Sequence, residues 1–195
     1  MNLHFGLPIK CIDPHKELQI ELVEETLRVA EEERSNATNP WAGRIDSSFK
    51  HNEYVNTVSD KCPLLEKWIY KQVNEYLNDL QLEQPYSFTK MDESWFNWSG
   101  KGMYQEFHIH PESDISGTFY VQTPPNCGNI IFNPPASAYN YHKLTHRSTV
   151  LEKSLHFEPM PARMILFPSY LEHMVQDNKN TEERISVAFN IKLID

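Results

Sequence analysis

Cysteine is scarce in this chain: Cys11, Cys62 and Cys127 are the only three in 195 residues, far apart and without a Cys-x-x-Cys pair. That spacing argues against a disulfide framework, a zinc ribbon or a thioredoxin-like redox pair, and it points to a reducing compartment. Long apolar runs are missing too. None approaches the roughly 18 residues that cross a bilayer as a helix, and the N-terminal Met-Asn-Leu-His-Phe-Gly lacks the basic flank and apolar stretch of a secretory signal. A cytoplasmic protein with no membrane partner is expected, in which Asn36-Ala37-Thr38 and Asn97-Trp98-Ser99 are chance glycosylation triplets. Positive charge is the third deficit, with 18 Lys and Arg against 27 Asp and Glu, a formal net charge of −9 and no basic cluster. Neutralising a phosphate backbone needs such a cluster, so nucleic acid is not an expected partner.

What is present reads as one domain spanning 1–195, without repeats, low-complexity tracts or a linker. A chain of this length buries roughly 70% of the surface its unfolded form exposes, enough for a core without cross-links. Residues 1–84 read as mainly helical support. A short extended piece over 2–12 closes at Asp13-Pro14, an N-cap followed by proline, and a helix follows from 15 to about 34. Its apolar stripe is Ile20, Val23, Leu27 and Ala30, with Glu21, Glu24, Glu25, Glu31, Glu32 and Glu33 on the wet side. Residues 35–59 read as loop. A second helix starts between Ser59 and Pro63, with Leu65, Trp68, Ile69, Val73, Tyr76, Leu77 and Leu80 facing the core.

From 85 to 195 the texture is β: short runs of Val, Ile, Phe, Tyr and Trp are punctuated by Gly, Pro and Asn. Candidate strands cover 87–98, 103–110, 115–123, 128–133, 149–157, 163–168, 172–176 and 184–194. Eight short strands after the helices suggest an α+β protein built on a jelly roll, or double-stranded β-helix, with the helices covering one sheet.

Strand alternation puts His108 and His110 on one face of 103–110, where two imidazoles can converge on a single ion. A third ligand must come from elsewhere, and His173 sits where one apolar strand ends and another begins. On the last strand Arg184, Ser186, Ala188 and Asn190 share one face, and Ile185, Val187, Phe189 and Ile191 share the other. Arg and Ser two apart make a fork and a hydroxyl aimed at one carboxylate, which beside a metal implies an anionic, chelating co-substrate. A Ser or Cys hydrolase is a poor reading, because Cys127 lies in a turn-like Pro-Pro-Asn-Cys-Gly segment and neither Ser116 nor Ser169 sits in a nucleophile elbow.

The ordered set His108-x-His110, Ser116-Gly117-Thr118-Phe119-Tyr120-Val121, Gly128-Asn129-Ile130-Ile131-Phe132, Leu166-Phe167-Pro168-Ser169 with Glu172-His173, and Arg184-Ile185-Ser186 resembles the 2-oxoglutarate and Fe(II)-dependent oxygenases. It is most similar to an oxygenase subgroup known mainly from bacteria and marine phages and related to the prolyl hydroxylases. The resemblance covers about residues 93–195. It implies a dioxygenase using Fe(II), 2-oxoglutarate and O2, in which His108 and His173 bind iron. It further implies that Arg184 grips the distal carboxylate of 2-oxoglutarate, assisted by Ser186 and Tyr120, with Asn97 and Asn190 lining the same pocket. The chain departs from the broad pattern at His110, where most members carry the carboxylate of His-x-Asp or His-x-Glu. Either the metal site is His108, His110 and His173, or Glu112 supplies the carboxylate, with Asp114 as a further candidate. The three-histidine site is favoured because Pro111 tends to end the strand before Glu112. Ala162, where relatives usually place Gly, is expected to be harmless.

The implied reaction is hydroxylation of an unactivated C–H bond, coupled to conversion of 2-oxoglutarate to succinate and CO2. Kinship with prolyl hydroxylases makes a peptidyl side chain the leading substrate and a free amino acid or small metabolite the next. Trp95, Trp98, Phe119 and Phe167 are available as apolar walls, and the long aromatic stretch from Asn133 to Thr149, with Tyr139, Tyr141, His142 and His146, is expected to form the substrate rim. Two other readings compete. One is a cupin-like three-histidine dioxygenase that needs no keto acid, and the other is a non-catalytic jelly-roll binding module.

Overall fold

The period-two alternation of the last strand divides the interior into two cores, and the division locates the cavity. In the computed structural model, which describes residues 7–40, 45–51, 53–82, 88–135 and 153–194, the first half holds β1 (Lys10–Ile12), α1 (Lys16–Glu33), β2 (Asp46–Ser47), α2 (Thr57–Lys61) and α3 (Pro63–Asp79). The second half holds β3 (Phe88–Ser99), β4 (Gln105–His108), β5 (Ile115–Gln122), β6 (Ile130–Phe132), β7 (Leu155–Phe157), β8 (Met164–Pro168), β9 (His173–Val175) and β10 (Arg184–Ile194). A six-stranded sheet, ordered β1-β8-β5-β10-β3-β2, faces a four-stranded sheet, ordered β4-β9-β6-β7. All pairings between these strands are antiparallel. Each of the eight expected strands has a counterpart, and β1 and β2 extend the edges of the large sheet. Residues 149–152 of the fifth expected strand lie outside the described residues, as do Tyr139, Tyr141, His142 and His146 of the expected rim.

Val187, Phe189 and Ile191 of β10 point toward the helices, where they share an apolar cluster with Leu22, Val29, Leu65, Ile69 and Val73. Between the two sheets a smaller cluster joins Tyr120, Ile130, Phe132, Ile165, Phe167 and Leu171. Trp98 and Phe119 belong to the helix-side cluster. They are therefore not cavity walls, since on β3 Trp95, Asn97 and Ser99 take the opposite parity from Phe96 and Trp98. Gly117 of β5 lies so close to Phe189 that an added Cβ would sit 2.2 Å from the ring. Ala162 adopts φ 61°, a left-handed conformation in which Gly is the low-cost residue, so its presence carries strain.

Helix α1 departs from the expected pattern in three respects. Its N-cap is His15, whose side chain accepts from the Leu18 N–H, while Asp13 instead makes a two-pronged ion pair with Arg163 at 2.7 and 2.8 Å. The buried stripe is Leu22, Thr26, Val29, Ala30 and Glu33, and Ile20 is 52% exposed. Thr26 hides in that stripe by donating its hydroxyl to the Leu22 carbonyl at 2.7 Å. Nor is the acidic run only a wet face. Glu25 accepts from the Leu64 and Leu65 N–H groups at 3.0 and 2.9 Å, satisfying orphan donors at the positive end of α3, and the buried Glu33 pairs with Lys61.

Candidate metal and keto-acid site

On the small sheet His108 of β4 stands directly opposite His173 of β9, so their side chains leave the same face and their ring centroids lie 4.2 Å apart. His110 follows just past the end of β4, where its N–H donates to the Ser169 carbonyl at 2.9 Å and fastens this segment to the end of β8 in the large sheet. Its ring lies 5.2 Å from that of His108 and 5.3 Å from that of His173. One nitrogen from each of the three rings falls within 4.8 Å of the others, so the group can hold a metal ion. Glu112 is exposed in the turn after Pro111 and stands outside this group. Asp114 is committed elsewhere, accepting the Leu193 N–H at 2.8 Å.

The main chain fixes the tautomer of two rings. Nδ1 of His108 donates to the Glu106 carbonyl at 2.7 Å, and Nδ1 of His173 donates to the Leu171 carbonyl at 2.9 Å. A carbonyl only accepts, so both protons sit on Nδ1 and both Nε2 lone pairs are free for an ion. Burial lowers all three imidazole pKa values, His110 to about 4, and the neighbouring rings lower those of His110 and His173 further. Neutral imidazole is the ligating form. Phe132 and Phe167 pack against the His173 ring at centroid distances of 5.8 and 4.7 Å and close its apolar side.

The histidines line a cavity of about 420 Å3 between the sheets, whose large-sheet wall carries Arg184, Ser186, Tyr120 and Asn97. Register builds that wall: on β10, Arg184 pairs with Ser99 of β3, and Ser186 pairs with Asn97 of β3 and Tyr120 of β5. Arg184 is only 3% exposed. Its Nη1 donates to the Cys127 carbonyl at 2.5 Å and the Gly128 carbonyl at 3.2 Å, and Nη2 donates to Ser99 Oγ at 2.9 Å. Among the described residues no carboxylate lies within ion-pair distance of this buried cation. Burial raises the Tyr120 hydroxyl pKa, keeping it a hydrogen-bond donor. Oδ1 of Asn97 and Oε1 of Gln105 are buried without a partner among the described residues, and both side chains line the cavity.

Asn190 does not line the cavity. It lies behind His110, with Nδ2 3.4 Å from His110 Nδ1 and Oδ1 accepting from Ser116 Oγ at 2.8 Å. Sequence reasoning did not single out Ser99, or Glu93, which also lines the cavity. The inward parity of β3, running Glu93, Trp95, Asn97, Ser99, was the available signal. The Cys127 and Gly128 carbonyls carry none, because any residue type presents one.

Three neutral nitrogen donors, an uncompensated buried guanidinium and orphaned polar atoms around one cavity fit a divalent cation with a dianionic keto acid. Comparison with known proteins agrees. A family model described as "Putative 2OG-Fe(II) oxygenase" matches residues 93–190. A search of curated protein sequences gives no match. Among solved structures, a prolyl hydroxylase from Trichoplax adhaerens, in complex with a peptide fragment of the oxygen degradation domain of hypoxia inducible factor, is 14% identical with a TM-score of 0.63, covering 95% of this chain and 83% of that one. A Pseudomonas putida prolyl-4-hydroxylase is 13% identical with a TM-score of 0.62, covering 97% and 94%. HygX from Streptomyces hygroscopicus, with nickel and 2-oxoglutarate bound, is 13% identical with a TM-score of 0.61, covering 96% and 83%. At such identities these structures speak for the double-stranded β-helix fold, while the family match, reaching across half the sequence and through every strand of the cavity wall, makes this chain a member of the 2OG-Fe(II) oxygenases, enzymes that work with Fe(II), 2-oxoglutarate and O2.

Proposed function

We propose that this oxygenase hydroxylates an unactivated C–H bond of a peptidyl or amino-acid substrate. In this reading His108, His110 and His173 hold Fe(II), and Arg184 takes the far carboxylate of 2-oxoglutarate with help from Ser186, Tyr120 and Asn97. The observation that carries it is Arg184, a guanidinium 3% exposed with no carboxylate partner among the described residues, in the same cavity as three converging imidazoles. A buried cation left without an anion is costly, and an anionic ligand removes that cost. The Cys127 and Gly128 carbonyls and Ser99 hold the fork in place before the ligand arrives.

Bound iron and keto acid together supply the oxidising chemistry, in which O2 is consumed, 2-oxoglutarate becomes succinate and CO2, and an oxygen atom is delivered to the substrate carbon. The protein's part is placement and exclusion of water. The carbonyls of Glu106 and Leu171 orient two ligating rings, Phe132 and Phe167 shut water from behind His173, and the Tyr120 hydroxyl donates to the carboxylate. Three neutral ligands leave the ion its full charge, which favours a dianionic co-substrate. The prolyl hydroxylases among the structural neighbours support a peptidyl or amino-acid substrate. No helix among the described residues is long and apolar enough to cross a membrane. The three cysteines are all free, which supports a cytoplasmic location.

The test is succinate release from 2-oxoglutarate under Fe(II) and ascorbate, paired with anaerobic calorimetry of 2-oxoglutarate on the iron-loaded protein. Wild type should bind and turn over the keto acid. Arg184→Lys, which keeps the charge and loses the fork, should weaken binding by about 10- to 100-fold. Absence of succinate together with absence of keto-acid binding would sink the reading.

A further inference from the structure

The cavity wall has a second charge without an ion-pair partner among the described residues, of opposite sign and at the other end. Glu93 of β3 lines the cavity, and its cross-strand partner on β10 is Asn190, six residues along the strand from Arg184. Six extended residues separate the two rows by roughly 20 Å. Among the described residues the carboxylate of Glu93 makes one hydrogen bond, from Asn190 Nδ2 at 3.3 Å, and no Lys or Arg lies within ion-pair distance of it. Lys192, the cation farther along β10, pairs with Asp92 at 2.7 Å and feels Glu93 only at longer range.

Aromatic rings line the same cavity as this carboxylate. Trp95, two residues along β3 and on the same inward face, is 5% exposed, and its ring lies 6.1 Å from that of His110. Phe49 stands 5.0 Å from the Trp95 ring at 57°, and His51 meets Phe49 edge-on at 5.3 Å, so a wall of rings leads from the exposed His51 to the metal-site histidines. The other ionisable groups on the lining are Glu106, a second carboxylate, the imidazoles of His51 and the metal group, and the Tyr120 hydroxyl, while Arg184 occupies the distant row.

A carboxylate beside π faces attracts a cation by ion pairing and by the ring quadrupoles together. An anionic group would be repelled there, and a purely apolar one would strip water from the carboxylate without replacing its hydrogen bonds. We propose that the substrate presents a cationic nitrogen, an ammonium or a guanidinium, to Glu93 and the ring faces of Trp95 and Phe49. This rests on the function proposed above and narrows its substrate class. The cationic nitrogen comes from a Lys or Arg side chain or from a free α-amine, and it holds the oxidised carbon near the three histidines while Arg184 keeps the keto acid at the far row.

The experiment uses full-length protein loaded anaerobically with Fe(II) and 2-oxoglutarate, titrated by calorimetry. The probes are N-acetyl-lysine amide, N-acetyl-arginine amide, norleucine amide with its free α-ammonium, neutral N-acetyl-norleucine amide and anionic N-acetyl-glutamate amide. At least one cationic probe should bind about tenfold more tightly than the neutral one, and which one does identifies the source of the nitrogen. Glu93→Gln should bring that preference to within about twofold while 2-oxoglutarate still binds, and Phe49→Ala should weaken the preferred cation several-fold. Equal binding of all probes, preference for the neutral or anionic probe, or a cation preference that survives in Glu93→Gln overturns the proposal. If wild type does not bind 2-oxoglutarate, the functional reading beneath it falls as well, and that result is distinct from loss of cation preference alone.

Discussion

Asn190 places its side-chain nitrogen 3.4 Å from Nδ1 of His110, which makes His110, among the described residues, the one member of the three-histidine group braced by another side chain. His108 and His173 are each held by a main-chain carbonyl two residues upstream. The Asn190 amide is itself held by Ser116 Oγ, which bonds Asn190 Oδ1 and Ser169 Oγ, both at 2.8 Å. Ser116 gives its one proton to Asn190 Oδ1, so Ser169 is the donor in that last bond. Asn190 Nδ2 also donates to Glu93 Oε2 at 3.3 Å, so the amide is oriented from both ends, its oxygen toward Ser116 and its nitrogen toward Glu93 and His110.

The orienting partners of metal-binding histidines affect affinity because they fix the ring and its tautomer. Asn190→Leu should weaken Fe(II) binding by about tenfold or more, read by anaerobic competition against a chelating dye, with the fold checked by circular dichroism. Asn190→Gln or Asn190→Ser should recover part of the loss. Unchanged affinity in Asn190→Leu would show that the contact does not brace His110.

A second prediction concerns the carbonyls that hold Arg184. Gly128 adopts φ 87°, and an added Cβ would sit 2.4 Å from the Gln176 carbonyl oxygen. The Gly128 carbonyl accepts from Arg184, and the Gln176 carbonyl lies 3.4 Å from the same nitrogen. Gly128→Ala must push apart the two segments that cradle the guanidinium. Its 2-oxoglutarate affinity should fall by about tenfold and its Fe(II) affinity by less, because His108 and His110 belong to the β4 segment and His173 stands three residues before Gln176, at the other end of β9. Equal loss of both affinities, measured by paired titrations, would point to general unfolding instead.

The alternation of β10 made much of this architecture legible, since one strand with Arg184, Ser186, Ala188 and Asn190 on one face specifies a polar cavity wall and an apolar helix-facing side. The pairing of His108 with His110 was legible in local alternation, whereas His173 was singled out by the family resemblance, because a turn position alone does not say that a histidine faces the barrel. Interactions between distant segments were not legible. Asp13 read as an N-cap because nothing nearby announces Arg163, 150 residues away, and the buried stripe of α1 was concealed by Thr26 and Glu33, polar residues whose partners appear only in three dimensions. Asn190 had the parity of a pocket residue, yet the His110 ring stands in front of it.

The buried histidines also set the acid tolerance of the metal-free protein. Burial holds the folded-state pKa of all three below the ordinary imidazole value of 6.5, that of His110 at about 4 and that of His173 well below 6.5. Below pH 6.5 the unfolded chain takes up protons that the folded chain refuses, so unfolding becomes easier as the pH falls. Stability from this source is complete above about pH 6.5 and declines from there toward pH 4, by at most about 1.4 kcal/mol per pH unit for each histidine. Urea unfolding of chelator-treated protein should show a lower midpoint at pH 5.5 than at pH 7.5, in a window where most carboxylates have yet to titrate. His110→Gln removes one of the three groups and should flatten the dependence. Equal midpoints at both pH values would mean that the imidazoles are charged or solvated in the folded protein, and the neutral metal-ready site described above would be wrong.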